Sequence, residues 1–474
     1  MNTTHLDQIL AAKMQSAGVG PPTITAFLGA RRQVMAGERG MLPESALEPV
    51  WSVPRLETLS ESGENHALWL TELAVVKLNG GLGTGMGLER TKSLIVVKGQ
   101  DRFLDFVARQ ILHLRKTTGR NVPAFHVMNS FVTRQETLEY LHQYPELWDE
   151  GTIDFLQNKV PKIDATTFEP VTWPVQPDLE WCPPGHGDFY PALLGSGLLD
   201  RLLGKGVKYL FVSNSDNLGA TVDLRLLRYF AESGLSFLME VAERTASDRK
   251  GGHLARRRSN GRLVLRESSQ CLKEDETCFQ DITRHRLFNT NNLWIRLDHL
   301  KAALDRNGGA LPLPLITNAK TVDPRDPNSP KVLQLESAMG AAIECFEQAG
   351  ALLVPRSRFS PVKTTSDLLA LRSDAYRVTD DFRLVLDESR RGQPPLVELD
   401  ANYKVLADFE GFFPGGAPSL VACDTLKVSG KVCFAAGVIC QGRVEFCNAS
   451  AETRTVSSGT FRDARVEVGI KEHG

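Results

Sequence analysis

Short, uninterrupted apolar runs mark the middle of the chain. Ala74-Val75-Val76-Lys77-Leu78, Pro123 to Met128, Lys208 to Ser213 and Leu235 to Val241 read as strands, and Leu94 to Lys98 has the same character. Between them the spacing turns helical. Phe103, Leu104, Val107, Ile111 and Leu114 recur on one helical face, with Asp101 placed to cap its start and Gly119 its end. Strands alternating with helices predict an α/β unit with a largely parallel sheet, right-handed crossovers and ligands at the carboxyl ends of the strands.

Two other patterns flank this unit. Residues 1–70 show helical spacing over Thr4 to Gln15 and Pro22 to Ala36, interrupted by Gly18, Gly20 and Pro21-Pro22. After about residue 385 the chain passes through the Gly/Pro-rich stretch Gly411 to Gly416. Apolar segments then recur about every six residues: Leu420 to Ala422, Leu426 to Val428, Val432 to Phe434, Val438 to Cys440 and Val444 to Phe446. That rhythm, punctuated by Gly430, Gly437 and Gly442, predicts either rungs of a β-solenoid or a β-sandwich appendage. The expected organisation is a helical segment over 1–70, an α/β domain over 71–385 and a β-solenoid-like domain over 386–474.

Composition narrows the function. The 474 residues carry 55 Lys plus Arg against 57 Asp plus Glu, a net charge of -2. No global field draws the chain onto nucleic acid or an anionic membrane, so neither is expected as a partner. There is no long apolar run of transmembrane type, and Met1 to Leu10 contains Asp7 and no signal-peptide core. The eight Cys are scattered, without CxxC, CxxCH or HExxH spacing, and read as buried thiols of a cytoplasmic protein. Cys433, Cys440 and Cys447 recur every seven residues and are taken as inward-facing packing.

The candidate chemistry lies in five places. Gly80, Gly81, Gly83, Gly85 and Gly87 crowd the turn after the strand at Ala74, where bare amides can approach phosphates, and Lys92 follows. The register fits neither GxGxxG nor a Walker loop, which disfavours a dinucleotide oxidoreductase; a tight strand-to-helix turn is the plain alternative. Asp216 follows a buried strand, placed either to hold Mg²⁺ between phosphate oxygens or to cap an Asx turn. Pro183-Pro184-Gly185-His186-Gly187-Asp188 presents a histidine from a pinched loop. Phe288 to Asn292 is rich in amides. Pro355 to Lys363 gathers Arg356, Arg358 and Lys363, either a phosphate cradle or a solvated basic turn.

Taken in order, these stretches resemble the eukaryotic-type UTP–glucose-1-phosphate uridylyltransferases, or UDP-glucose pyrophosphorylases. The match runs from about residue 70 to 375 and includes Lys77 to Thr84 with Lys92-Ser93, Pro183 to Asp188, Ser213 to Gly219, Phe288 to Trp294 and Pro355 to Leu369. Lys159 to Lys162, and Gly87 to Thr91 before Lys92, depart from the family's usual residues. The resemblance implies a Rossmann-like, glycosyltransferase-A-like mixed sheet serving nucleotidyl transfer, with the solenoid-like tail behind it. By the same resemblance Leu78, Asn79, Gly80 and Gly81 meet the uridine, and the loop through Gly83 and Thr84 holds phosphates. Lys92 binds the triphosphate, Gln157 reads uracil, Met128 lines the base and Gly185 touches it through backbone. His186 and Asn214 hold glucose 1-phosphate, Asp216 carries Mg²⁺, and Gly252, Glu267 and Asn289 meet glucose hydroxyls. Lys363 clamps the reacting phosphate and, with Lys92, is the implied catalytic residue.

The implied reaction is in-line attack by glucose 1-phosphate on the α-phosphorus of UTP, giving UDP-glucose and pyrophosphate. The nucleophile is already anionic near neutral pH, its second phosphate pKa being about 6, so no general base is needed. Two alternatives remain at this stage: a broader UDP-sugar pyrophosphorylase, and a non-catalytic sugar-nucleotide sensor, which the presence of Lys363 and Asp216 disfavours. The tail is a candidate surface for a homo-oligomer.

Overall fold

The computed structural model describes residues 3–60, 66–148 and 152–469. Its centre is a ten-stranded mixed sheet. In chain order the strands are β1 (Leu47–Pro49), β2 (Leu73–Asn79), β3 (Ala124–Asn129), β4 (Asp154–Leu156) and β5 (Tyr209–Asn214). They continue as β6 (Phe237–Glu243), β7 (His253–Arg257), β8 (Leu263–Arg266), β9 (Leu287–Arg296) and β10 (Ala349–Leu353). Strands β5, β2, β3 and β4 lie side by side and parallel. The expected parallel run stops there. β9 lies antiparallel between β5 and β6, and β7 and β8 form an antiparallel extension. The correction arises because β9 follows the hairpin-like β7–β8 excursion and re-enters the sheet from the opposite end.

Alternation along the central strands explains why they read as continuous apolar runs. Val75, Phe211 and Trp294 point to one face, where they meet α3 (Phe103–Thr118) and α6 (Leu224–Glu232). Ala74, Val76, Leu210, Val212, Leu293 and Ile295 point to the other. There they meet α4 (Phe189–Gly195), α5 (Leu198–Gly204) and α7 (Leu297–Arg306). Both faces are covered, so no strand position is free to be polar without a partner.

Helix α3 begins one residue later than its capping pattern suggests. Arg102 occupies the N-cap position, and the Asp105 carboxylate accepts its backbone N–H at 2.7 Å. Asp101 instead accepts from Arg109 at 2.8 Å. Gly119 closes the helix in the left-handed region as expected, with φ of 65°. Helices α1 (Thr3–Ser16) and α2 (Pro21–Met35) form their own apolar cluster, which also takes in Val160, Ile163, Cys182, Leu315 and Leu335. Asp7 of α1 is pinned between Arg31 and Arg32 of α2.

The C-terminal strands β11 (Leu396–Leu399), β12 (Ser419–Ser429), β13 (Val438–Cys447), β14 (Gly459–Arg462) and β15 (Arg465–Glu467) pair parallel. Leu420 to Ala422 and Leu426 to Val428 share one strand, as do Val438 to Cys440 and Val444 to Phe446. The six-residue rhythm thus counts segments within a longer circuit. Leu426 pairs with Val444, Val432 with Arg454 and Val438 with Gly459, so one circuit takes about twenty residues. The cysteines divide accordingly. Cys423 and Cys440 are buried, whereas Cys433 and Cys447 alternate away from the core and are half-buried, which corrects their reading as inward-facing. All eight thiols are free.

Tyr403 joins the α/β unit to this stack. Its ring is fully buried beside Phe412 and Phe413, and its hydroxyl accepts the Val432 N–H at 3.0 Å. Its carbonyl accepts from Thr365 Oγ1 at 2.7 Å, in α8 (Thr365–Arg372). Tyr403→Phe leaves the Val432 N–H without its partner and is expected to cost about 1–3 kcal/mol. Urea unfolding checks this, and a midpoint equal to wild type refutes the linkage.

Candidate active site

The parallel strands β5, β2, β3 and β4 all end at one edge, and the predicted residues gather there. The strand ends are themselves polar. Asn79 Nδ2 donates to Asn129 Oδ1 and Thr137 Oγ1, both at 2.8 Å, and its Oδ1 accepts from Ser215 Oγ at 2.9 Å. The Asn79 side chain is therefore fully engaged inside the protein and levels the strand ends. The Leu78 carbonyl accepts the Ser215 N–H at 3.0 Å, tying the glycine loop to the turn that carries Asp216.

Beyond β2 the loop folds back on itself. Gly83 N–H donates to the Arg90 carbonyl and Lys92 N–H to that of Gly81, both at 3.3 Å, while Gly81 and Thr84 stay exposed. This fold-back delivers Lys92 to Asp216, with Nζ 2.5 Å from Oδ2 and both side chains mostly buried. The third arm is the 355–363 segment. Val362 N–H reaches the Asp216 carbonyl at 3.4 Å, and Asn217 bridges to Pro361. Lys363 follows, exposed, and a Cβ on Gly85 would stand 3.8 Å from its carbonyl oxygen. Glycine loop, Asp216 turn and Lys363 segment thus converge.

A second group lies beside the first. Gln157 N–H donates to the Asn129 carbonyl at 2.7 Å and its Nε2 to the Gly185 carbonyl at 3.1 Å. A Cβ on Gly80 would stand 2.8 Å from Gln157 Oε1, so a side chain there would displace the amide. Gly185 has φ of 77°, and its Cβ would strike the Ser337 carbonyl at 2.5 Å; only glycine fits. Met128 is buried on β3.

The amide and histidine residues form a third group. His186 Nδ1 accepts the Met339 N–H at 2.9 Å, which leaves Nε2 to carry the proton. Asn214 Oδ1 accepts from Asn291 Nδ2 at 3.0 Å. A Cβ on Gly252 would stand 2.6 Å from a Glu267 carboxylate oxygen, and burial raises that carboxyl's pKa. The buried Asn289 accepts the Asn291 N–H on Oδ1 at 2.9 Å. Gly80, Gly81, Lys92, Gln157, Gly185, Asp216 and Lys363 lie along this edge with His186, Asn214, Gly252, Glu267 and Asn289 beside them, while Asn79 and Met128 are set back within the protein.

Several participants were not legible beforehand. Asn291 takes φ of 60° inside β9, and its Oδ1 is buried without a protein partner. The amide run Asn289 to Asn292 is its sequence trace, since Asn tolerates the left-handed region better than other non-glycine residues. Asp188 accepts from Asn158 and Thr23, and burial raises its pKa to about 7. Lys77 is wholly buried, donating to Ser213 Oγ and the Ala220 carbonyl; burial, then Arg358, lowers its pKa to about 7. Arg358, taken with its neighbours as a phosphate cradle or a solvated turn, is neither. It grips Glu240 with two bonds of 2.7 Å, both side chains buried.

Among the described residues no three His, Cys, Asp or Glu side chains cluster to hold a metal. No described helix is long and apolar enough to cross a membrane. A glycine loop, two lysines and one carboxylate at the carboxyl edge of a mixed sheet define an α/β protein built to handle nucleotide phosphates.

A family model described as UTP–glucose-1-phosphate uridylyltransferase matches residues 27–441. The enzyme of that name from Solanum tuberosum is 41% identical over 402 residues, covering 84% of this chain and 81% of that one. That from Saccharomyces cerevisiae is 39% identical over 426 residues, covering 89% and 83%. A Leishmania major UDP-glucose pyrophosphorylase variant in complex with UDP-glucose has a TM-score of 0.90 at 47% identity, covering 97% of this chain and 99% of that one. The chain belongs to the UTP–glucose-1-phosphate uridylyltransferase family.

The Arg358–Glu240 pair yields a direct test. Arg358→Met strands a buried carboxylate and is expected to cost about 3–5 kcal/mol, whereas adding Glu240→Leu recovers most of it. Denaturant unfolding of the single and double variants reads both, and equal stabilities for the two variants would refute the pairing argument.

Proposed function

We propose that this chain transfers the uridylyl group of UTP to glucose 1-phosphate, releasing pyrophosphate and forming UDP-glucose. The observation that carries this reading is the convergence of the glycine loop, the Lys92–Asp216 pair and the Lys363 segment at one sheet edge. The barrier to such a reaction is repulsion between anions and charge building on the α-phosphoryl oxygens. Lys92 and Lys363 offset that charge from two sides, and loop amides add fixed donors. Lys92 reaches the phosphates by exchanging Asp216 for them. Asp216, once freed of Lys92, is the carboxylate that would hold Mg²⁺. When bound there the ion supplies further neutralisation of the phosphates.

The base and sugar fall to the two neighbouring groups. Gln157, with the backbone of Leu78 and Gly185 and the wall at Met128, forms the uracil pocket; Gly80, Gly81, Gly83 and Thr84 follow the ribose and phosphates. His186 donates from Nε2, and Asn214, Asn289, Glu267 and the open backbone of Gly252 meet the sugar phosphate. The finer fold reading belongs here too. We take the α/β unit over 71–385 as a Rossmann-like, glycosyltransferase-A-like catalytic domain and 386–474 as a β-solenoid-like domain, supported by the parallel pairing of β11 to β15. The free thiols agree with a cytoplasmic setting, and the C-terminal stack is the surface we assign to any homo-oligomer.

A pyrophosphate-release assay over nucleoside triphosphates and sugar phosphates, with and without Mg²⁺, tests the proposal. Turnover confined to UTP, glucose 1-phosphate and Mg²⁺ is expected. Equal use of galactose 1-phosphate would move the reading to a broad UDP-sugar pyrophosphorylase, and no turnover would leave a sensor.

Lys363→Ala is expected to lower turnover about a hundredfold or more, as loss of a transition-state donor does. Near-wild-type turnover in the folded variant would remove Lys363 from the reaction.

UTP should be used in preference to CTP, because the wrong base leaves buried polar groups unpaired at about 1–3 kcal/mol each. Gln157→Leu should narrow that preference by lowering UTP use most. Full UTP efficiency in this variant would exclude Gln157 from the pocket.

A further inference from the structure

The turn that presents Gly185 and His186 packs closely on Ser337 on one side and faces open space on the other. A cavity of about 320 Å³ lies between α2, the 184–191 stretch and the 307–315 stretch, and Thr23, Gly187 and Asp188 are on its wall. The Ser337 contact, the Ser337 N–H to the Pro184 carbonyl at 3.0 Å and the Met339 N–H to His186 Nδ1 at 2.9 Å fix the turn on the Ser337 side. On the cavity side the hydrogen bonds of Asp188 hold it. Asp188 Oδ2 accepts the Asn158 N–H at 2.7 Å, and Asn158 Nδ2 lies 3.0 and 3.2 Å from the two carboxylate oxygens. Thr23 Oγ1 donates to Oδ1 at 3.2 Å. Asp188 N–H returns to the Gly185 carbonyl at 3.3 Å, the same carbonyl that accepts from Gln157 Nε2 at 3.1 Å. Asn158 is the residue after Gln157, and Thr23 stands in the first turn of α2. Asp188 is itself buried, at 3% exposure, so each donor it loses is felt in full.

We propose that Asp188 is a positioning residue for base selection, clamping the Gln157–Asn158 step to the Gly185 turn and anchoring both to α2 through Thr23. This rests on the uracil pocket proposed above. The clamp sets the distance between Gln157 and the Gly185 backbone, the two groups that must meet one base edge together. Its donors come from the Gln157–Asn158 step and α2, so its effect belongs chiefly in UTP binding and in the UTP-to-CTP ratio. It also gives α1 and α2, which carry no chemistry of their own, a route by which their docking reaches the nucleotide pocket.

The test is steady-state kinetics on the full chain. Asp188→Ala should raise KM for UTP about tenfold or more, leave kcat within about threefold and narrow the UTP-to-CTP ratio. KM for glucose 1-phosphate should rise less than that for UTP, because His186 is held separately by the Met339 N–H. Asp188→Asn, which can still accept the Asn158 N–H, should restore most of the loss. In a cycle with Gln157→Leu, the second substitution should add less than its single effect, because both act through one contact. A loss spread evenly over UTP and CTP, or effects that simply multiply, would overturn the proposal. If Asp188→Ala does not fold, Thr23→Val and Asn158→Ala carry the test: each should raise KM for UTP, and wild-type values in both would overturn it. Should Gln157→Leu keep full UTP efficiency, the pocket itself is wrong. Should Gln157→Leu lose efficiency while Asp188→Ala does not, only the clamp is wrong.

Discussion

The buried ion pair between Arg358 and Glu240 is the constraint on which the active edge depends. Glu240 sits in the middle of β6 with no solvent exposure, and a carboxylate there is tolerable only because every lone pair is used. Arg358 supplies two bonds, Trp294 Nε1 one at 2.9 Å and Asn292 Nδ2 one at 3.1 Å. The partners then extend outward. The Arg358 carbonyl accepts from Asn217 and Asn292, and Asn217 Oδ1 accepts the Ser360 N–H at 2.9 Å. The segment that ends in Lys363 is thereby fastened to the turn that begins with Asp216. An arginine of the basic segment is the bolt holding the Lys363 segment and the Asp216 turn in register.

A similar economy governs the strand ends. Three parallel strands finish in asparagine; Asn79 and Asn129 bond sideways to each other and to Thr137, Ser215 and Asp154, while Asn214 accepts from Asn291. A level polar shelf results, from which the glycine loop, the Asp216 turn and the Gln157 turn all start. Buried cations are managed the same way. Lys77, beneath this shelf, keeps its side-chain nitrogen on Ser213 and Ala220, and burial pushes its pKa down to about 7. Lys92 and Lys363 carry the positive charge that substrate phosphates could meet.

The legible parts were those in which one residue type has one physical use. Five glycines in a short loop, a histidine between glycines and an aspartate after a buried strand each narrow the local backbone, and all came together at one edge. Asp101 as a helix cap, the inward Cys433 and Cys447 and the largely parallel sheet were wrong for a shared reason. Each is set by context that the local pattern does not carry: Arg109 claims Asp101, the strands placed around Cys433 and Cys447 turn them outward, and β9 arrives reversed after the β7–β8 excursion. Asp188, Glu240 and Arg358 were invisible as structural residues because their partners, Thr23, Asn158 and Asn292, lie tens to hundreds of positions away.

What the sequence alone determined was the alternation of strand and helix, the turn chemistry and the ordered stretches through which the family resemblance could be read. These are local quantities, set by side-chain volume, backbone freedom and hydrophobic spacing over a few residues. What only the tertiary structure decided was which charges are struts and which stay open to solvent. Arg358 and Lys363 sit five positions apart in one basic segment, yet one is sealed against Glu240 and the other is exposed beside the glycine loop. The difference is burial, and burial is a property of the packed sheet and loops rather than of the residues themselves.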